Sequence, residues 1–143
     1  MDTNGQHLII DAFECQNDIL NDAVELEQLL TGAINKLGME ILSSHFHSFI
    51  PEGVTGIIGI STSHFSIHTW PEHRYAALDL YTCGDQNIWP AFREILQILQ
   101  AKQSDVYEIS RGQKINNNTA FKKFTLTFNE SNDEIIESQA FLQ

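Results

Sequence analysis

Apolar and polar residues recur along the first part of the chain with the periods that distinguish strands from helices. Residues 7–14, HLIIDAFE, form a short apolar run that is typical of a strand. The next segment has apolar residues three and four positions apart, which would share one helical face: Ile19, Ala23, Leu26, Leu30, Ala33 and Leu37. This spacing predicts a helix over 18–38, capped by Asn17 or Asp18 and ended by Gly38.

The middle of the chain instead has the period of two that indicates strands. Residues 40–50 alternate, so that one side of a strand would carry Ile41, Ser43, His45, His47 and Phe49. Pro51 breaks this segment, and a new strand pattern runs over 53–61. A further strand is predicted over 64–70, ending before Pro71 because proline has no amide hydrogen to give to a sheet.

The pattern then predicts another strand, a second helix and a strand after it. The first of these covers 75–82 and is followed by a turn at Gly84. Helical spacing returns over 88–101, where Pro90 is tolerated in the first turn. Four side chains of this helix would face a core: Phe92, Ile95, Leu96 and Leu99. Strand-like residues follow at 105–112.

This order of elements predicts an α+β fold, a two-layer sandwich in which an antiparallel sheet carries its helices on one face. The other face would be left free, and pairing with a second copy would cover it. Residues 1–112 would form this domain, with 113–143 as a C-terminal extension of it. In the extension, a polar connector leads to a strand pattern over 121–128 and to an acidic end, 129–143, compatible with a short helix or with disorder.

Charge and cysteine content narrow the classes of partner and compartment. The chain has 143 residues and a formal net charge of -11, from 19 acidic against 8 basic side chains. So acidic a chain suits nucleic-acid phosphates poorly, and we expect no nucleic-acid partner. Cys15 and Cys83 do not make a disulfide framework, and no apolar run approaches the roughly 18 residues that span a bilayer. We therefore expect a cytoplasmic protein without a membrane partner.

The segment ISTSHFSIHTW, residues 60–70, concentrates candidate chemistry. A metal site could draw on His45 with His47, or on His64 with His68. No CxxC or HExxH pattern supports either pair, and we expect no metal. A Ser-His-Asp hydrolase is disfavoured because the chain has no GxSxG turn to expose a nucleophilic serine.

A serine in a strand has another use. Its hydroxyl can attack the preceding carbonyl, which moves the acyl group from nitrogen to oxygen, and the ester then breaks by β-elimination. The product is a pyruvoyl group, a carbonyl cofactor made from the chain itself that supports amino-acid decarboxylation. The chemistry needs a serine, a base for its Cα proton and an acid for the product carbon. Ser63, His68 and Cys83 could fill these roles, although spacing alone does not select them.

Four motifs make the chain similar to a known family: FHSFIPEGVTG at 46–56, SHFSIHTWPE at 63–72, YAALDLYTCG at 75–84 and RG at 111–112. In their order and spacing, from about residue 7 to 112, the chain resembles the short, self-processing prokaryotic S-adenosylmethionine decarboxylases. The resemblance implies cleavage between Thr62 and Ser63. The products would be a β chain, 1–62, and an α chain, 63–143, that begins with a pyruvoyl group derived from Ser63.

The resemblance also implies which residues assist the cleavage and the decarboxylation. His68 corresponds to the histidine needed for processing, and Cys83 to the cysteine that protonates the decarboxylated carbon. Thr55 stands where relatives often have a serine that assists processing, and it keeps a hydroxyl. Thr62 departs from the glutamate of many relatives, and its β-branched side chain could slow the attack. Arg74 stands where the family usually has glycine, a position that would call for a positive φ, and its guanidinium could instead bind a carboxylate.

The implied substrate is S-adenosylmethionine, whose decarboxylated product donates the aminopropyl group in spermidine synthesis. Phe49 and Trp70 match aromatic residues that sandwich the adenine, and Glu72 matches a carboxylate that binds the ribose hydroxyls. The implied assembly is a homodimer of αβ units with residues of both subunits at each site. Two alternatives stay open: a pyruvoyl-dependent ornithine or arginine decarboxylase on the same fold, and an unprocessed homologue that regulates another decarboxylase.

Overall fold

The computed structural model describes residues 3–112 and 121–128, together with the backbone of 134–141. The strands are β1 (Gly5–Phe13), β2 (Ile41–Ser48), β3 (Val54–Ile60), β4 (Ser63–Trp70), β5 (Tyr75–Cys83), β6 (Gln103–Arg111), β7 (Phe121–Phe128) and β8 (Glu134–Phe141). They form one eight-stranded sheet in the order β2-β3-β4-β5-β1-β6-β7-β8. Every neighbouring pair is antiparallel.

The helices are α1 (Asn17–Leu20), α2 (Ala23–Asn35) and α3 (Trp89–Leu99), with a short 3₁₀ helix at Pro71–His73. They pack on one face of the sheet, where alternate strand residues such as Leu8, Ile10, Phe65 and Ile67 are buried against them. The α+β sandwich predicted from the sequence is therefore confirmed. We call the opposite side the open face; it carries His7, Ile9, Ile57, Asp79 and the residues in line with them.

The helix predicted over 18–38 is wrong as a single element, because the chain breaks between α1 and α2. Tertiary partners occupy the groups at the break: the Thr69 hydroxyl donates to the Leu20 carbonyl at 2.7 Å, and the Gly53 amide donates to the Asn21 side chain at 2.9 Å. Asp22 then caps α2 by accepting from the Glu25 amide at 3.0 Å. Neither predicted cap, Asn17 nor Asp18, is used: Gln16 is the N-cap of α1 and makes no side-chain capping bond.

The second predicted helix is confirmed, as α3. Its four expected core residues, Phe92, Ile95, Leu96 and Leu99, are all buried, and Pro90 lies in the first turn. Gln100, in the left-handed conformation, ends the helix. Among the described residues, no helix is long and apolar enough to cross a membrane.

The C-terminal extension adds to the edge of the sheet. The predicted strand at 121–128 is present as β7 and pairs with β6. The expectation of a short helix or disorder is wrong for 134–141, which forms β8 on the outer edge of β7. An unpaired strand edge presents a row of amide and carbonyl groups. A following segment can form hydrogen bonds with that edge as a strand, whichever element its own pattern favours. The connector 113–120 lies outside the described residues.

Candidate active site

The Thr62–Ser63 peptide bond lies in the tight turn between β3 and β4. Ile60 pairs with Ser63, so Ser61 and Thr62 form a two-residue connection; both are exposed, and Ser61 has a φ of 38°. Ser63 is therefore the first residue of its strand rather than an interior one. The bond predicted to break is at an accessible turn with an unusual backbone conformation.

Cys83 contacts both sides of this bond. Its amide donates to Ser63 Oγ at 3.2 Å, and its Sγ lies 3.5 Å from the Thr62 carbonyl oxygen. The sequence did not single out Tyr81, whose hydroxyl lies 3.7 Å from Cys83 Sγ. Its position two residues before Cys83 on β5, and hence on the same face, was the available signal. We call Thr62, Ser63, Tyr81 and Cys83 the serine end of the site.

Thr55 and His68 lie together but away from Ser63. They are opposite each other on β3 and β4, and Thr55 Oγ1 is 3.0 Å from His68 Nδ1. His68 follows Ser63 by five positions on β4, which is about 16 Å at the rise of a strand. The structure thus places the two predicted processing residues, Thr55 and His68, in contact with each other and far from Ser63 of the same chain.

A row of aromatic rings crosses the open face at this far end of β4. Trp70 stacks on Tyr75 with ring centroids 5.4 Å apart, and Tyr75 stacks on Phe13 at 5.6 Å. The Tyr75 hydroxyl also hydrogen-bonds to Asp11. Trp70 is therefore supported on one side by residues that the sequence did not single out, and it remains 40% exposed.

The row has a gap between Trp70 and Phe49. Thr55 pairs with both His47 and His68. Extending this register by one row, past the ends of β2 and β3, puts the backbones of Phe49 and Trp70 on either side of position 53, about 10 Å apart at two strand spacings. The residue between them is Gly53, which accepts from the Phe49 amide at 2.9 Å and has no side chain to fill the gap. No side chain at position 53 therefore separates the two aromatic positions.

The gap between Phe49 and Trp70 is the aromatic slot. Phe49 is 49% exposed. Glu72 lies in the 3₁₀ helix directly after Trp70 and is exposed. The end of β3 and β4 that carries Thr55 and His68 is thus also the end nearest to Phe49, Trp70 and Glu72, the three residues predicted to bind substrate. We call these five residues the aromatic end of the site.

A polar cluster lies between the two ends on the open face. His7 Nε2 and His64 Nε2 lie 2.7 and 2.8 Å from the same oxygen of Asp79, and the Ser66 hydroxyl donates to its other oxygen. Burial raises the pKa of Asp79, but the hydrogen bonds from Ser66, His7 and His64 outweigh it and lower the pKa below its ordinary value.

His7, His64 and Asp79 also form a geometrically possible metal site, since their ligand atoms lie within 4.8 Å of one another. Arg111 Nη1 lies 3.3 Å from His7 Nδ1 and can only donate. The proton of a neutral His7 is therefore on Nε2, where it points at Asp79. The cluster is satisfied by hydrogen bonds in this state, and His64 lies with His7 and Asp79 rather than with His68, the other histidine of the pair considered for a metal site.

Arg74 adopts the left-handed conformation expected for a position that is usually glycine. Its φ is 52° and its ψ is 38°. Its Nε donates to the Cys15 carbonyl at 2.9 Å, and a second nitrogen lies 3.5 Å from the Glu14 carbonyl. The guanidinium is therefore directed at the backbone after β1, and not at the aromatic slot.

Comparisons with known proteins agree on one family. A sequence profile described as S-adenosylmethionine decarboxylase matches residues 6–112. The "S-adenosylmethionine decarboxylase proenzyme" of Thermotoga maritima is 43% identical over 114 residues, which is 79% of this chain and 88% of that protein. "Proenzyme 2" of Halalkalibacterium halodurans is 43% identical over 115 residues, 78% and 89% of the two chains. The crystal structure of the adenosylmethionine decarboxylase from Aquifex aeolicus matches with a TM-score of 0.73 and 34% identity, covering 82% of this chain and 98% of that one.

Proposed function

The chain belongs to the S-adenosylmethionine decarboxylase family, and we propose that it cleaves itself between Thr62 and Ser63 and then decarboxylates S-adenosylmethionine. The products of cleavage would be a β chain, 1–62, and an α chain, 63–143. The decarboxylated nucleoside would serve as the aminopropyl donor for spermidine synthesis. The observation that carries the proposal is the double contact of Cys83 with the Thr62–Ser63 peptide.

The contacts at the serine end fit the formation of a pyruvoyl group. The Cys83 amide donates to Ser63 Oγ, the atom that would attack the Thr62 carbonyl. The Cys83 thiol lies where the oxygen of that carbonyl would gain negative charge. What the serine end lacks is a base for the Cα proton of Ser63. His68, with Thr55 as its hydrogen-bond partner, is the proposed base.

One chain cannot supply the whole site. Ser63 and Trp70 lie at opposite ends of β4, about 23 Å apart at the rise of a strand, which exceeds the length of one S-adenosylmethionine molecule. A two-fold pairing of open faces would set the serine end of one copy against the aromatic end of the other. Exposed apolar residues between the ends, Ile57 at 53% and Ile9 at 41%, suit such an interface. We therefore propose a homodimer of αβ units with two shared sites.

Each predicted residue then has a task in decarboxylation. Phe49 and Trp70 would hold the adenine between them, and Glu72 would accept hydrogen bonds from the ribose hydroxyls. The pyruvoyl group supplies a carbonyl that takes up the substrate amine and accepts the electron pair left when carbon dioxide departs. Cys83 would hold at Sγ the proton that the product carbon needs. The net charge of -11 favours a cationic substrate.

Two features of the site, the aromatic slot and the contact of Cys83 with the Thr62 carbonyl, favour this function over the two alternatives. Ornithine and arginine carry no flat ring that would use Phe49 and Trp70 on both faces. A non-catalytic regulator would not need Cys83 in contact with the Thr62 carbonyl. Both cysteines are free thiols, which suits the reducing cytoplasm that we propose as its compartment.

Intact-mass spectrometry of the denatured protein tests self-cleavage. We expect two fragments split at 62/63, with the mass of a pyruvoyl group at the start of the second, and a single uncleaved chain for Ser63→Ala. A wild-type chain that stays whole after long incubation contradicts the proposal. Release of labelled carbon dioxide from S-adenosylmethionine, with ornithine and arginine in parallel, then tests the substrate.

Mixing two inactive variants tests the shared site. Ser63→Ala and His68→Ala chains should each remain uncleaved when expressed alone. When they are co-expressed in equal amounts, about half of the chains enter mixed dimers by random pairing, and only their His68→Ala chains meet an intact histidine. Cleavage confined to His68→Ala chains is the expected result. Cleavage of His68→Ala chains that are expressed without the other variant, or the absence of cleavage in the co-expressed mixture, would refute the shared arrangement.

A further inference from the structure

We propose that Tyr81 is a positioning residue for self-cleavage, whose hydroxyl turns the Cys83 thiol proton onto the Thr62 carbonyl oxygen. The inference rests on the proposed cleavage at Thr62–Ser63 and adds a residue to it. Its basis is the chain of contacts from Tyr81 to Cys83 to Thr62, at 3.7 and 3.5 Å.

Counting protons orients this chain of contacts. A thiol has one proton to donate, and two oxygens lie within its reach. The Thr62 carbonyl can only accept, whereas the Tyr81 hydroxyl has a proton of its own. All three groups are satisfied only if Tyr81 donates to Sγ and the thiol donates to the carbonyl. Each hydrogen bond in such a chain polarises the next, so the carbonyl is activated for attack.

Three contacts hold the tyrosine ring where its hydroxyl reaches Cys83. The ring lies against Gly5 on the neighbouring strand, where a Cβ would come within 2.7 Å of Tyr81 Cε1. The Arg111 guanidinium is 4.7 Å from the ring centroid, and the His7 ring contacts it edge-on at 5.6 Å. The hydrogen bond to Cys83 raises the pKa of Tyr81, so the hydroxyl keeps its proton and acts as an orienting donor.

The first step of cleavage shows what the relay supplies. Ser63 Oγ loses its proton and bonds to the Thr62 carbonyl carbon, and the carbonyl electron pair moves to the Thr62 oxygen, where Cys83 donates. The pair then returns, the bond from the Thr62 carbon to the Ser63 nitrogen breaks, and that nitrogen takes up the proton that Oγ lost. The result is an ester and a free amine. A thiol rotated away would leave the oxygen without its donor at the moment of charge.

Tyr81→Phe removes the hydroxyl and keeps the ring. We expect cleavage to slow by about 2- to 12-fold, the range of one hydrogen bond, as followed by intact mass over time. Tyr107→Phe is the matched control, because it removes a hydroxyl from the open face on β6 and should cleave at the wild-type rate.

A second measurement separates orientation from folding and uses uncleaved protein. In the Ser63→Ala background, Tyr81→Phe should lower the rate at which iodoacetamide alkylates Cys83 at mildly alkaline pH, because the thiolate loses its donor. Cys15 stays silent, since burial raises the pKa of its thiol to about 12. The thermal unfolding midpoint should match that of Ser63→Ala alone.

The outcomes distinguish this inference from the proposed function. A wild-type chain that never cleaves removes the function itself. Normal wild-type cleavage with Tyr81→Phe as fast as Tyr107→Phe, or an unchanged alkylation rate, overturns only the role of Tyr81. Slower cleavage in step with loss of folded protein overturns it as well.

Discussion

Arg74 makes two opposite contributions to stability, a destabilising left-handed backbone and a stabilising side-chain hydrogen bond. Two substitutions separate these contributions. The residue has a left-handed backbone, with φ of 52°, while its Nε donates to the Cys15 carbonyl at 2.9 Å. Arg74→Ala removes the hydrogen bond and keeps the strain. Arg74→Gly removes both. All variants are best made in the Ser63→Ala background, so that each sample is a single uncleaved chain.

The magnitudes follow from the two contributions. Loss of the hydrogen bond should make Arg74→Ala less stable by about 1 kcal/mol. Glycine relieves about 1–2 kcal/mol of left-handed strain but adds about 0.4–1 kcal/mol of unfolded-state entropy. Arg74→Gly should therefore be about 0.5–1 kcal/mol more stable than Arg74→Ala, and close to the parent.

Urea unfolding at one fixed protein concentration measures these differences. With a slope of about 1–3 kcal/mol/M, alanine should lower the midpoint by about 0.3–1 M, and glycine should recover most of the loss. An alanine variant as stable as the glycine variant would refute the strain. A glycine variant well above the parent would mean that the guanidinium bond contributes nothing.

Two further predictions concern the cluster at Asp79 and the support of Trp70. Because hydrogen bonds lower the pKa of Asp79 despite its burial, their stabilisation is present above the ordinary carboxyl pKa and is lost as pH falls through the folded-state value. The stability advantage over Asp79→Asn should thus shrink in acid, and parallel urea midpoints across pH would contradict this. Tyr75→Leu removes the ring stacked on Trp70 and should raise KM for S-adenosylmethionine by about 2- to 12-fold; an unchanged KM would show that Trp70 needs no support.

Local patterns carried much of the fold. The alternation at 40–50 predicted that His45 and His47 share the open face, and they pair there with Ile57 and Thr55 of β3. It was wrong for Ile41, which pairs with the buried Ile60 because a register shift between Ile41 and Ser43 moves it to the core side. The spacing in α3 predicted its buried residues for the same reason, that side-chain direction follows the backbone period. The break before α2 could not be predicted, because the groups that fill it come from Gly53 and Thr69, more than thirty positions away.

The candidate site also has a part that the sequence predicted and a part that only the tertiary structure decided. Motifs in the sequence determined which residues to consider, because Ser63, His68, Cys83, Phe49, Trp70 and Glu72 stand in the order and spacing of a known family. Only the tertiary structure decided how far apart they lie: a strand is extended, so Ser63 and Trp70 at the two ends of β4 are about 23 Å apart, too distant to act on one molecule. The tertiary structure also decided which neighbouring side chains support these site residues. Tyr81 reaches Cys83 because Gly5 leaves room for its ring, and Tyr75 backs Trp70 because strand register sets them side by side. Register depends on the partner strand, and a single strand does not contain that information.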